Sequence, residues 1–211
     1  MLDNSIFELG EAFDTEKYVS WINKLKPTKY IIPDVLDDSE ETINNIKDWI
    51  NNYSHLPGIK IGVVQGKDYE SLTKCYLEVS KYCDEIAINF GKKYYEDLLP
   101  DSNKDEAQCI GRKLLIAQWL EEGIINKDKK HHLLGCSLPQ EFKFYSDFEW
   151  VCSIDTSCPI VHGILGVNLK EDGSLDKKEN LKLVDLINTK VSLEEKRRIY
   201  INIVNFRKNL L

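Results

Sequence analysis

Apolar positions along the chain alternate between two periods, and the switch is clearest from Ile59 to Phe90. Ile59, Ile61, Val63 and Val64 form a short run rich in β-branched residues between Pro57-Gly58 and Gln65-Gly66. Such a run predicts a strand buried in a parallel sheet. Asp68 is placed to cap a helix, and Leu72, Cys75, Tyr76, Val79 and Cys83 follow at helical spacing, which gives one stripe to lay on that sheet. Ile86, Ala87 and Ile88 begin the next strand.

The same alternation extends in both directions. A short strand end is expected at Ile6, Phe7 and Leu9, then a helix over Thr15 to Leu25 stopped by Pro27, and a strand over Tyr30 to Val35. Ser39 caps a helix carrying Ile43, Ile46, Trp49 and Ile50. Beyond Phe90, Gly91 to Asn103 reads as a long polar loop and Asp105 to Gly123 as a helix with Ile110, Leu114, Leu115, Ala117, Trp119 and Leu120 on its apolar face. His131 to Cys136 is a strand, Pro139 to Ser146 a short helix, and Trp150 to Asp155 a strand ending in a carboxylate. Thr156 to Gly166 is rich in turn formers, and Leu175 to Leu211 reads as helix in two pieces broken near Thr189 to Ser192. Strand and helix thus alternate about six times, without a Gly-rich phosphate fingerprint. That predicts an α/β fold, a TIM-like (β/α) barrel occupying residues 1–211 as a single domain. Since a complete barrel has eight strands, it is either abbreviated or holds further strands around Ile160 to Leu169 and in the C-terminal tail.

Composition narrows the class. No run of eighteen apolar residues is present, and Met1 to Glu11 lacks the basic flank and apolar centre of a signal peptide, so a soluble, cytoplasmic protein without a membrane partner is expected. The six cysteines form no Cys-x-x-Cys pair and lie mostly on apolar faces, as reduced core thiols do. A net charge of −7 argues against broad, non-specific nucleic-acid binding. Two local basic stretches, Lys127 to His132 and Lys196 to Arg198 with Arg207 and Lys208, read foremost as a solvated loop and an exposed helix face.

Candidate chemistry sits at the strand ends. Asp3, Asp34, Gln65 and Asp155 each fall where a predicted strand stops. Singly, each is also an ordinary turn, cap or core residue. Together, in a barrel, they converge on one mouth, where clustered carboxylates raise one another's pKa.

These segments, in this order, resemble the tRNA-guanine transglycosylases, and more closely their phage and bacterial DNA-modifying relatives. Gly62-Val63-Val64-Gln65-Gly66 is similar to that family's Val-Gln-Gly turn; Leu2-Asp3-Asn4-Ser5 to its Asp-Ser-Gly segment; Pro33-Asp34-Val35-Leu36 to its second base-binding aspartate. Ala87-Ile88-Asn89-Phe90 stands where the family has Ala-Ile-Gly-Gly, Leu133-Leu134-Gly135 with Pro139 is like its Leu-Met-Gly and proline, and Ile154-Asp155 with Cys158-Pro159 is like the strand end holding the nucleophile.

The resemblance implies a pentosyltransferase that replaces guanine by a 7-deazaguanine derivative in nucleic acid through a covalent glycosyl-aspartate. Asp155 would be the nucleophile and Asp3 the acid/base. Asp34 and Gln65 would read the purine edge, and Asn89, Phe90, Leu134 and Gly135 would bound the base slot. The partners implied are a nucleic acid and a free 7-deazaguanine base, with no cofactor. No Cys-x-Cys-x-x-Cys with a downstream His follows Asp155, so no metal site and no zinc subdomain are expected, which favours DNA over tRNA. Such a minimal barrel would act alone, as a homo-oligomer or with a partner subunit. Two other readings stand beside base exchange: a glycosylase or nucleoside hydrolase acting on a modified purine, and a non-catalytic nucleic-acid-binding subunit of a transglycosylase complex.

Overall fold

The computed structural model describes residues 1–4, 10, 12–179 and 181–210; the strand end expected at Ile6, Phe7 and Leu9 lies outside them. Five strands, β1 (Lys29–Ile31), β2 (Ile59–Val64), β3 (Glu85–Asn89), β4 (Lys130–Leu134) and β5 (Val151–Ile154), form one parallel sheet whose spatial order is the order of the chain. Leu2 adds a parallel bridge to Tyr30 on the outer side of β1. Among the described residues the α-helices are α1 (Thr15–Leu25), α2 (Ser39–Tyr53), α3 (Tyr69–Tyr82), α4 (Lys93–Leu98), α5 (Lys104–Glu121), α6 (Cys158–Ile164) and α7 (Leu193–Arg207).

The helices pack on one face of the sheet. Tyr30, Ile32, Val64, Ile86, Ile88 and Leu133 alternate along the strands towards them. They share a single core with Tyr18 and Ile22 of α1, Ile46 and Trp49 of α2, Val79 of α3, Trp119 of α5 and Phe206 of α7. Packing of α3 on β2 is close: a Cβ on Gly62 would lie 2.5 Å from the Cys83 sulfur and 2.8 Å from Val79, so only glycine fits. The opposite face carries Ile31, Ile61, Val63 and Ala87, all buried, with Leu134 against them. Connections of one hand place successive helices on the same side only when the sheet keeps growing in one direction.

Capping explains where several helices begin. Asp14, Asp38, Asp68 and Asn103 each accept a backbone N–H from the first turn of α1, α2, α3 and α5. Ser192 and Glu195 close a reciprocal box at the start of α7. All six cysteines are free, and only Cys152 is exposed.

Five stretches differ from expectation. The loop expected at Gly91 to Asn103 contains α4, because Tyr95 is buried and seats against Gly111 of α5. Thr156 to Gly166 contains α6 rather than turns, with Pro159 in its first turn, where a missing N–H costs nothing. No strand therefore forms at the start of Ile160 to Leu169. Of the tail from Leu175, only α7 is α-helical; Leu183–Leu186 makes a single 3-10 turn. Leu181, Val184 and Ile187, in and beside this turn, are exposed, and an apolar stripe with nothing to cover it does not hold a helix. On α5, Leu114 is exposed while Arg112 is buried, so the inward stripe is rotated from the one predicted. Pairing by β1 ends at Ile31, with Ile32 giving one further N–H to Ile61, before Pro33 removes the next donor.

Among the described residues, no helix is long and apolar enough to cross a membrane. The Lys127 to Lys130 stretch enters β4 from its N-terminal end, away from the strand ends where Gln65 and Asp155 lie.

Candidate functional site

Gln65 and Asp34 meet. Gln65 follows the last residue of β2, on the Ile61 and Val63 side of the sheet by alternation, and Asp34 follows Pro33 beyond β1. The Gln65 Nε2 donates to Asp34 Oδ2 at 2.5 Å, and the amide of Asn4 donates to Asp34 Oδ1 at 2.5 Å. On its other side Gln65 Oε1 accepts from the Asp37 backbone N–H at 3.1 Å and from the ammonium of Lys92, which also pairs with Asp37 Oδ1 at 2.9 Å. Asp37 reaches this position with a left-handed backbone, φ 58°, a region aspartate tolerates. Asp34, Gln65, Asn4 and Lys92 are all buried. Burial pushes the Asp34 carboxyl above the usual carboxylate range; the amides of Gln65 and Asn4 and the charge of Lys92 pull the other way, and Asp3 adds to the rise. Asp3 itself is exposed, and its charge bears on Asp34 and on Tyr18.

Because Lys92 and Asp37 hold Gln65 Oε1, the amide cannot flip. Its NH2 is committed to the Asp34 side. The sequence pointed to Gln65 and Asp34 but not to Lys92 or Asn4, which complete the network.

Asp155 presents a different environment. It follows β5, and its side chain is 51% exposed. Both hydrogen-bonding contacts of the side chain among the described residues fall on one oxygen: the Gly135 N–H donates to Oδ1 at 3.1 Å, and His132 Nε2 lies 3.0 Å from the same atom. The other His132 nitrogen, Nδ1, is 2.8 Å from the Ser153 hydroxyl. A carboxylate only accepts, so Nε2 carries the proton, and in the neutral ring Nδ1 accepts from Ser153. His132 is buried on the face of β4 that also carries Leu134, so its position was readable from alternation although its role was not.

Gly135 takes φ 58°, and a Cβ there would lie 2.5 Å from the Phe90 ring. Only glycine accepts both the backbone and the ring. Lys178 stands on the same ring, its Nζ 4.2 Å from the centroid and donating to the Cys136 carbonyl at 3.0 Å. Phe90 thus lies over Gly135, one of the residues the resemblance assigned to the base slot. Asn89 ends β3 half-buried, its carbonyl accepting from the Tyr95 hydroxyl at 3.1 Å.

Behind this half of the site lies a buried ion pair. Arg112 and Glu141 are fully buried and bind at two points, Nε to Oε1 at 2.5 Å and Nη2 to Oε2 at 2.9 Å. The same guanidinium donates to the carbonyls of Ile88, Leu134 and Gly135 at 3.1, 2.9 and 3.0 Å. It thereby ties the ends of β3 and β4 together. Gln108, Arg112, Leu115 and Trp119 recur at a helical period, and a cation on that stripe was the available signal.

Two surface depressions of ≈ 290 and ≈ 200 Å³ lie elsewhere, the first between α4 and the start of α5, the second at the N-termini of α2 and α3. Neither contains Asp34, Gln65 or Asp155. Compared with protein-family models and with curated proteins, the sequence matches none.

Proposed function

We propose that the parallel sheet is the larger part of a TIM-like (β/α) barrel, and that its mouth exchanges guanine for a 7-deazaguanine derivative in nucleic acid, DNA before tRNA. The strand order, the one-sided helices and the apolar opposite face support the barrel. One observation carries the function: a buried, hydrogen-bonded Asp34–Gln65 pair lies at the same end of the sheet as a half-exposed carboxylate, Asp155.

On this reading, Asp34 accepts from the purine N1–H and exocyclic amine through the lone pairs its protein donors leave free. The second Nε2 hydrogen of Gln65 goes to the purine carbonyl. Asp155 attacks C1′, and Asp3 protonates the departing base and later deprotonates the incoming one, much as two carboxylates share the work in retaining glycosidases. In a duplex the target nucleotide is first turned out of the stack. Phe90 gives way as the base enters.

Labelled guanine offered with DNA or with tRNA tests this directly. Exchange into DNA is expected, with Asp155→Asn lowering it at least about a thousandfold while thermal stability holds, because a half-exposed side chain carries little packing. Absence of incorporation into either nucleic acid by folded protein overturns the reading. The exposure of Asp155 gives hydrolysis a specific claim, since water can reach the intermediate; an abasic product in place of exchange would establish it.

A further inference from the structure

We propose that His132 and Gly135 make Asp155 a one-oxygen nucleophile: they hold Oδ1, so that Oδ2 attacks C1′ and Oδ1 becomes the carbonyl oxygen of the resulting ester. This rests on the base-exchange reading and specifies how its covalent step is organised. The geometry is one-sided. Gly135 N–H and His132 Nε2 converge on Oδ1 at 3.1 and 3.0 Å, and no hydrogen-bond partner among the described residues falls on Oδ2. With the side chain 51% exposed and its χ angles fixed by two donors on one oxygen, the other oxygen is the one offered outward.

Three features hold the donors in place. The Gly135 amide points at Oδ1 because residue 135 has a left-handed backbone, φ 58°, and because Arg112 fixes its carbonyl at 3.0 Å. The His132 ring is oriented from its far side by the Ser153 hydroxyl at 2.8 Å. Finally, Asp155 N–H donates to the Leu133 carbonyl at 3.2 Å, which keeps the backbone of β5's end in register with β4.

The electron count shows what such an arrangement does. In the first half-reaction an Oδ2 lone pair forms the bond to C1′. The C1′–N9 pair leaves with the base, which takes a proton from Asp3. The carboxylate charge disappears, and the ester carbonyl remains on Oδ1 between two donors. In the second half-reaction N9 of the incoming base attacks C1′, the C1′–Oδ2 pair returns to the carboxylate, and N9 gives its proton to Asp3. Negative charge leaves Asp155 in the first half-reaction and returns in the second, where donors already aimed at Oδ1 meet it without reorganising. His132 is therefore a positioning residue. It touches the nucleophile rather than the base, so its removal leaves base recognition intact.

The test separates turnover from binding. His132→Leu removes the donor; His132→Gln restores an N–H at nearly the same reach; Ser153→Ala frees the ring. Losing one of two such donors is expected to lower kcat about tenfold to hundredfold in His132→Leu, with KM for the free base unchanged. Gln at 132 returns the rate to within about threefold, and Ser153→Ala costs severalfold, by the same principle that second-layer partners orient a reacting group. A covalent protein–nucleic acid adduct, followed on denaturing gels, forms more slowly in the Leu variant in proportion to kcat. Full kcat in His132→Leu, a change confined to KM, or no difference between the Leu and Gln variants overturns the inference while leaving base exchange standing. Wild-type protein that neither exchanges bases nor forms the adduct overturns both. Should the Leu variant not fold, the Ser153→Ala and Gln variants decide, since a full rate in Ser153→Ala or a rate in His132→Gln below that of Ser153→Ala contradicts a ring held for catalysis.

Discussion

The two carboxylates of the site sit at the same end of one sheet and are held in opposite ways. Asp34 is buried and tied at both oxygens by protein amides. Asp155 is half-exposed and tied at one. On the base-exchange proposal the buried group, fixed by its donors, recognises through the lone pairs they leave free, and the group with one oxygen free reacts. The neighbouring histidines of β4 repeat the contrast one residue apart: His132 faces Asp155, whereas His131 faces the helices, with Nε2 at 2.9 Å from the Tyr76 hydroxyl and Trp150 edge-on to its ring.

Cutting the support behind the reactive half should have the largest effect. Arg112→Met leaves the Glu141 carboxylate buried without its partner and frees three strand-end carbonyls, at an expected cost of about 3–5 kcal/mol in chemical denaturation. Replacing Arg112 and Glu141 together by apolar residues should be markedly milder, and an equal loss in the double variant would contradict the account.

Acid should act next, on the histidine that faces the helices. Burial holds the His131 ring down at about 4 against an ordinary value of 6.5. The neutral ring is the folded form, so its contribution is complete above pH 6.5 and is lost as pH falls from there towards 4, by roughly 3 kcal/mol at the lower limit. Asp34 works with the opposite sign. Its raised carboxyl favours the protonated form in the fold, so its contribution is present at low pH and fades as pH climbs through the carboxylate range. Unfolding curves at pH 7 and pH 4.5 should therefore converge in His131→Phe relative to wild type; an unchanged gap would remove His131 as the cause.

The smallest effect sharpens the recognising half. Asp34→Asn puts an NH2 against the amide of Asn4 or Gln65, and Gln65 cannot turn because Lys92 and Asp37 hold its oxygen. About 1–3 kcal/mol of stability should go with that mismatch. Lys92→Met in the same background should not return it, since the Asp37 N–H still holds the Gln65 oxygen.

Legibility in the sequence followed how many constraints each stretch carried. From Ile59 to Phe90 the strand run, the Asp68 cap and the helical stripe all agree, and β2, α3 and β3 fall where those patterns place them. The tail after Leu175 has apolar residues at loosely helical intervals, but Leu183, Val184 and Ile187 find no surface to cover, so spacing alone misled. Strand-end position was enough to place Asp34, Gln65 and Asp155 at one end of the sheet. It could not mark Lys92, His132 or Arg112, because a polar residue within an apolar pattern looks the same whether it points to solvent or into a network. Only the fold distinguishes the two.

The chain-ordered sheet has a consequence for synthesis. Every ladder joins consecutive strands, so each strand leaving the ribosome finds its partner already made and its own helix next in line. Local pairing of this kind keeps the entropy of each closure small and exposes one fresh edge at a time. Asp34 and Gln65 can therefore come together while the residues that will hold Asp155 are still being translated.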